Sequence, residues 1–290
     1  MTADETANTA AGLVDEYDGI LDAAPLRQGD IFEWVGSAYE RPWRGLGVVV
    51  TADCDMARNK MDNVVSFVPL LSFEDYLWHV WREKRFAQQR MLALGELTRF
   101  INKQLTKLGR DEITSQAVED WAALGNVAGI ADALGISDVN LRSKLEAIMG
   151  RYLDLDAVLA GRKPDRLLLE RACEHLKKTG QTANEFLAQD FQSTLSKLPG
   201  DVFYLSQIRE QDGGVFAMLR HIRQCGLEEI AVDPDQIRFG SASARRFARL
   251  RAPFKYALTQ QLARVFADIG LTPAYDERVK TSSLRYFGEG

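Results

Sequence analysis

The sequence predicts an α+β protein: a small antiparallel β-barrel or curled sheet, interrupted by a helical insertion and closed by a C-terminal helix. Three observations support this fold class. Strand-like segments occur at Gln28–Ser72 and Asp201–Phe239, the sequence between them has a helical pattern, and an amphipathic helix follows the second segment. Because a sheet cannot bury its apolar face alone, the two strand-like segments are expected to pair across the insertion.

This arrangement divides the chain into three parts. The prediction places an acidic leader at residues 1–27, a discontinuous β-barrel domain at 28–72 and 200–290, and a helical insertion domain at 73–199. Residues 1–30 hold seven acidic residues and one basic residue, which leaves 35 basic and 34 acidic residues in the remainder. The net charge of −5 is therefore concentrated in the leader. Leu13, Tyr17 and Leu21 fall at helical spacing, which predicts a short amphipathic helix over Gly12–Ala23.

The first strands of the barrel are predicted in chain order. A turn ending at Asp30 leads into a strand at Ile31–Val35, which is rich in aromatic and β-branched residues. The apolar run Leu46–Val50 is typical of a strand buried on both faces. Asn63–Leu71 is the next predicted strand, and Ser72 is the expected N-cap of a long helix over Phe73–Leu108.

The insertion continues with shorter predicted helices at Thr114–Leu124, Val127–Leu134, Val139–Met149, Asp165–Lys178 and Thr182–Leu198. Within it, Ile130–Ser137 followed by Leu141 and Leu145 is similar to a helix-turn-helix core, where a small alanine and a turn glycine let two helices pack closely. Ordinary helix packing is the alternative, because acidic residues offset the basic ones around this segment.

The C-terminal part is predicted to return to the sheet. Asp201–Ile208 and Val215–Ile222 are expected to form a hairpin around Gly213-Gly214, and short strands are expected at Glu228–Val232 and Gln236–Phe239. A helix from Ala252 to Ile269 should then bury an apolar face made of Phe254, Leu258, Leu262 and Phe266.

Four features of the N-terminal strands carry a family resemblance. Gly29–Phe32, Arg44, the strand ending at Val48–Thr51 and Val65–Ser72 together resemble the opening strands of the MazF/PemK group of small β-barrel toxins. The resemblance covers about 45 residues. It implies an RNA-directed module of a bacterial toxin–antitoxin or defence system, with metal-independent endoribonuclease activity on single-stranded RNA as one implied function.

The resemblance also implies roles for single residues. Arg44 matches the family's loop arginine, which would stabilise a phosphorane. Ser72 matches the serine that ends the later strand, and Thr51 stands where the buried strand ends. The resemblance thus implies Arg44, Thr51 and Ser72 as the catalytic residues. Leu71 occupies the position where the family has threonine. That departure favours the alternative, a non-catalytic protein-interaction or regulatory module that docks a partner through the helical insertion or the acidic leader.

The clearest charge feature is the basic segment, Arg238–Lys255. It contains no acidic residue, and phenylalanines are interleaved with its cations, so it is predicted to bind the phosphates and bases of single-stranded RNA. The predicted nucleic-acid-binding residues are Arg238, Arg245, Arg246, Arg249, Arg251 and Lys255. The alternative is that these residues pair with the acidic leader or with an acidic protein partner.

Several other classes of function receive no support from the sequence. The longest apolar runs are well short of the roughly 18 residues of a membrane span, so a cytoplasmic protein with no membrane partner is expected. The three cysteines show no C-x-x-C spacing, and neither a metal nor a cofactor is predicted. Carboxylates flanking Cys54 argue against a nucleophilic thiolate, while Asp53 and Asp55 leave a weak Mg²⁺ alternative open. A homo-oligomer is also left open.

Overall fold

The fold is taken from a computed structural model that describes residues 15–20, 24–36, 42–124, 126–209, 213–267, 273–286 and 288. The predicted fold class is confirmed: the chain is α+β, with a curled antiparallel sheet and a C-terminal helix. The chain divides into two compact units. We call residues 1–71 with 199–290 the β-unit, and residues 72–198 the helical unit.

The sheet is built from both ends of the chain. Its strands are β1 Tyr17–Gly19, β2 Asp30–Trp34, β3 Leu46–Val49, β4 Val64–Ser72, β5 Val202–Leu205, β6 Val215–Met218, β7 Arg223–Gly226, β8 Ile230–Ala231 and β9 Ala244–Leu250. The hydrogen-bonded order is β1-β9-β2-β3-β4-β6-β5, with β7 paired to β4 and β8 paired to β9. The β8–β9 pair is parallel.

The strand β3 is buried on both faces, as its continuous apolar run predicts. On one face, Val48 joins a cluster with Ile31 and with Leu258 of the helix Ala252–Ala267. On the other face, Val49 joins a cluster with Phe32 and Phe67. Gly47 lies between the two aromatic rings, and a Cβ at this position would come within 2.6 Å of Phe32 Cζ. The aromatic packing therefore requires glycine there.

The helices of the β-unit are α1 Asp53–Ala57, α9 Pro234–Arg238, α10 Ala252–Ala267 and α11 Pro273–Tyr286. The strand expected at Gln236–Phe239 is wrong, because Asp233 caps a short helix that carries proline at its first position.

Helix α10 buries Leu258 in the sheet interior, with Phe254 and Leu262 partly buried against the same cluster. Phe266 was expected to be buried but is 45% exposed, since it lies about 80° around the helix from Leu258. Ile269 lies outside the described residues.

The leader helix expected over Gly12–Ala23 is wrong where the structure describes it. Tyr17–Gly19 forms β1, which pairs antiparallel with Leu250–Ala248 of β9. A strand edge offers unpaired backbone N–H and C=O groups, whereas an isolated helix of this length is marginal in water. The rest of the expected helix, residues 12–14 and 21–23, lies outside the described residues.

The helical unit contains α2 Phe73–Tyr76, a π-helical turn Leu77–Trp81, α3 Arg82–Lys107, α4 Ser115–Ala123, α5 Val127–Ala133, α6 Val139–Ala160, α7 Arg166–Glu174 and α8 Ala183–Leu195. Side chains of the preferred N-cap types begin six of these helices: Ser72, Thr114, Asn126, Asp138, Asp165 and Thr182. No helix in the described part of the chain is long and apolar enough to cross a bilayer.

The helix-turn-helix-like segment folds as a tight pair of helices. Ala131 and Leu145 are fully buried between α5 and α6. Gly135 has φ +62°, a left-handed conformation that glycine adopts without steric cost and that ends α5. Arg142 of α6 pairs with Asp132 of α5, its Nη2 lying 2.7 Å from Asp132 Oδ1. This pair places one of the segment's basic charges next to an acid.

Candidate functional site

Arg44, the predicted phosphate-stabilising arginine, has two partners inside the β-unit. Its Nη2 donates a hydrogen bond to Glu229 Oε2 at 3.1 Å, and its guanidinium lies 4.2 Å from the centre of the Trp34 ring. Glu229 is held in turn, because its Oε1 accepts the Gly226 N–H at 2.9 Å. The arginine therefore ties the loop before β3 to the segment between β7 and β8, and its charge is balanced.

Thr51 has a structural contact at the other end of β3. Its Oγ1 accepts the Ser66 N–H at 2.7 Å, which continues the β3–β4 pairing beyond the last strand residue. Arg44 precedes β3 and Thr51 follows it. Seven residues of extended chain correspond to roughly 23 Å, so these two side chains cannot act on one phosphate group.

Ser72, the third predicted catalytic residue, caps α2 as its helix-entry pattern predicts. Its Oγ accepts the Asp75 N–H at 3.1 Å and donates to Asp75 Oδ2 at 2.7 Å. Both hydrogen-bonding functions of the hydroxyl are thus used at the start of the helix.

The basic segment forms β9 and the start of α10, and most of its cations meet carboxylates of the same chain. Asp30 is fully buried and accepts hydrogen bonds from Arg246 Nη1 at 2.9 Å and Arg249 Nη2 at 3.0 Å. Arg249 Nε donates to the same carboxylate. The side chain of Arg246 is only 3% exposed. The hydrogen bonds from Arg249 to Asp30 raise the pKa of the guanidinium.

The other cations of this segment are also paired, with one exception. Arg245 and Arg209 both contact the carboxylate of Glu33, which points outward from β2. Arg251 Nε lies 2.8 Å from Asp18 Oδ1. Arg251 Nη2 lies 3.3 Å from a carboxylate oxygen of the leader residue Asp15, and Lys255 Nζ lies 3.4 Å from one of Asp53. Arg238 differs: it is exposed on α9, with its guanidinium 5.8 Å from the centre of the Phe239 ring.

The segment around Cys54 has no metal-site geometry. Asp53 Oδ1 accepts the Gln28 N–H at 2.8 Å, and its other oxygen faces Lys255. Cys54 is exposed at the start of α1, next to Asp55. Within the described ranges, no group of three or more His, Cys, Asp or Glu side chains is placed to hold a metal ion. The Mg²⁺ alternative therefore gains no further ligand.

A hydrogen-bonding site for a carboxylate, which the sequence does not predict, lies beside β1. It is formed by Ser206 and Gln207, and we call it the carboxylate seat. Glu16 is 6% exposed, and its carboxylate accepts the Ser206 N–H, the Ser206 hydroxyl and the Gln207 N–H, each at 2.8 Å. The Glu16 N–H donates to Gln207 Oε1 at 2.6 Å. These three donors bind an anion without a cation, in the manner of a backbone nest.

Three acids that organise this region were missed because each looks ordinary in the sequence. The sequence pattern places Asp30 at the end of a turn, Glu33 within the strand predicted at Ile31–Val35 and Glu16 in a helix. For Asp30 and Glu33, the sequence does contain a signal that they need charged partners. Two acids within an otherwise apolar strand require partners, and the basic segment offers six cations with no acid of its own.

Comparison of the chain with family models, curated proteins and solved structures returned no significant match.

Proposed function

We propose that the chain is a non-catalytic protein-interaction module, the alternative that the substitution of Leu71 for threonine favours. One observation carries the proposal. The cations that an RNA-directed function would use, apart from Arg238, are hydrogen-bonded or ion-paired to carboxylates of the same chain.

Charge balance favours a protein over RNA as the partner. Nucleic-acid binding depends on cations that replace condensed counterions along the phosphate backbone. Arg246 is buried, so it cannot reach a phosphate without unfolding its surroundings. Breaking the Asp30 pairs to free Arg249 would leave a buried carboxylate with fewer partners, which is costly. The basic segment therefore has few cations that are free to bind phosphate.

The arrangement of the predicted catalytic residues supports a non-catalytic role. An endoribonuclease needs its phosphate-binding and proton-transferring groups around one scissile bond. Arg44 and Thr51 lie at opposite ends of β3, and the Ser72 hydroxyl is used in a helix cap. Each of the three side chains has a structural task that accounts for its presence.

Apolar side chains for partner contact occur in the helical unit. Leu124 follows α4, Val139 begins α6 and Leu167 lies in the first turn of α7, and they are 80%, 79% and 72% exposed. Exposed apolar side chains such as these contribute favourable free energy when a partner removes them from water. Scattered exposed leucines also occur on ordinary surfaces, so the experiment must show that these side chains matter.

The first experiment separates a protein partner from RNA. The purified full chain is mixed with labelled single-stranded RNA of mixed sequence at low and high salt, and both binding and cleavage are measured. We expect no cleavage, and no binding with the steep salt dependence that phosphate contacts produce. Salt-dependent binding or cleavage that Arg44→Ala abolishes would overturn the proposal. Arg99→Ala, which removes an exposed arginine of α3, is the matched control.

The second experiment looks for the partner itself. Tagged full chain is used to capture proteins from a lysate of the source cells, with RNase present. We expect a stoichiometric protein partner that persists at high salt, and that is lost when Leu124, Val139 and Leu167 are replaced together by serine. Met91→Ser with Leu92→Ser is the control for exposed apolar residues elsewhere in the helical unit. No stoichiometric partner under these conditions would contradict the proposal.

A further inference from the structure

The two ends of the sheet meet at the carboxylate seat. The hydrogen-bonded order begins with β1 and ends with β5. Glu16 immediately precedes β1, and Ser206 and Gln207 immediately follow β5. The hydrogen bonds from these two residues to Glu16 therefore join the first and last strands of the open sheet. We call this junction the seam.

The segment that fills the seam is held as a peptide ligand would be. Residues 17–19 pair with β9 as a three-residue antiparallel strand, and the Arg251 N–H donates to the Glu16 carbonyl at 3.0 Å. Two side chains, Glu16 and Asp18, carry the recognition, one in the seat and the other on Arg251. In β-strand addition, main-chain hydrogen bonds give affinity, and side chains at alternate positions enter separate pockets and give specificity. The contacts of Glu16 and Asp18 follow this pattern.

The segment Asp15–Gly19, which we call the resident segment, pairs with β9 over a short stretch. β1 has only three residues, and all three are exposed, with Tyr17 at 36%. Beside β1, the same edge of β9 is covered only by the two residues of β8 within the described chain. A competing strand therefore has a short segment to displace.

From this geometry we infer that the seam is a binding site for an extended acidic peptide of a partner protein, and that the chain's own Asp15–Gly19 is its resident ligand. The inference deepens the proposed function and rests on it. The peptide would place a glutamate in the seat formed by Ser206 and Gln207, and an aspartate two residues later on Arg251. Release of the resident segment is then the step that exposes the site.

The chemistry of the seam selects a peptide over a free anion. The seat supplies three hydrogen-bond donors and no cation, while the edge of β9 supplies a row of backbone groups that matches an extended peptide backbone. Arg251 adds the charge two residues along the strand. A ligand must therefore combine a main chain with two carboxylates at alternate positions.

The experiment uses the full chain and a synthetic peptide with the sequence of residues 13–20, labelled for fluorescence anisotropy. Glu16→Ala removes the resident carboxylate and leaves the seat intact. We expect this variant to bind the peptide at least tenfold more tightly than the wild type, which must first release its own segment. A peptide with glutamine in place of its glutamate should bind the variant at least tenfold more weakly.

A matched control and a second variant keep the outcome interpretable. Glu185→Ala also removes a carboxylate that accepts a backbone N–H, but in the helical unit, and should bind the peptide as the wild type does. If Glu16→Ala does not fold, Asp15→Asn with Asp18→Asn loosens the resident segment while keeping Glu16. It should bind more tightly than the wild type.

Three results would overturn the inference: equal binding by wild type and Glu16→Ala, equal binding of the glutamate and glutamine peptides, or no binding to a folded variant. A variant that forms dimers instead of binding peptide would assign the seam to strand exchange between copies, and would also overturn it. Failure here with a protein partner still captured leaves the proposed function standing. Loss of both removes the two proposals together.

Discussion

Replacing Asp30 by asparagine should destabilise the β-unit strongly. The side chain is fully buried, and it neutralises Arg246, whose side chain is 3% exposed, as well as Arg249. Asparagine keeps the volume but removes the charge, so Arg246 is left as a buried cation without its counter-ion. Breaking one partner of a buried ion pair costs about 3–5 kcal/mol, which is a large part of a typical total stability of roughly 5–15 kcal/mol.

Thermal unfolding of the full chain measures this loss. For a unit of this size, 1 kcal/mol shifts the melting temperature by about 2–4 °C, so a decrease of roughly 6–20 °C is expected. Hydrogen exchange read by mass spectrometry should show faster exchange in β2 and β9, the two strands that the pairs join. Helix α3, in the helical unit, serves as the internal reference for exchange.

Two further variants separate the buried charge from other effects. Asp18→Asn also removes an acid that pairs with an arginine, but this acid is 60% exposed, so the cost should stay below about 1 kcal/mol. Replacing Asp30 by leucine and both of its arginines, Arg246 and Arg249, by methionine removes the three charges of this cluster together, and should recover much of the lost stability. A melting temperature for Asp30→Asn within 2 °C of the wild type would refute the reasoning.

Two smaller predictions concern backbone conformation and thiol reactivity. Gly135→Ala should destabilise the helical unit by about 1–2 kcal/mol, because Gly135 has φ +62°. Gly95→Ala inside α3 should stabilise the same unit by about 1 kcal/mol, because no atom lies within 4 Å of the added Cβ. The two variants should shift the melting temperature in opposite directions, and shifts of the same sign would contradict this prediction. Exposed Cys54 should be the one thiol that reacts quickly with Ellman's reagent at pH 8, since burial raises the pKa of the Cys173 and Cys225 thiols to about 12 each. One equivalent of thiol per chain should react in the fast phase, and Cys54→Ser should remove it. A second fast-reacting equivalent of thiol would show that a buried cysteine is accessible.

Local chemistry determined several features that can be read from the sequence alone. The apolar run Leu46–Val50 predicts a strand buried on both faces, and each residue of β3 is buried. Ser72 predicts a helix start, and its hydroxyl caps α2. These predictions succeed because burial periodicity and capping depend on residues within a few positions of each other. The α+β class follows from the same local signals.

Long-range pairing determined the features that the sequence analysis missed. In β9, Ala244, Ala248 and Leu250 are buried, but the arginines between them made the segment look like an RNA-binding surface. Asp30 and Arg246 are 216 residues apart, so nothing local indicates that one neutralises the other.

The leader shows the same limit. The apolar spacing of Leu13, Tyr17 and Leu21 suits a helix, yet residues 17–19 form a strand because the edge of β9 supplies backbone partners that exist only once the sheet has formed. Glu16 likewise finds its donors at Ser206 and Gln207 only when the two ends of the sheet come together. The sequence by itself determined which segments are apolar, capped or charged. Only the tertiary structure decided which charges meet, because that depends on strand order and register across the insertion.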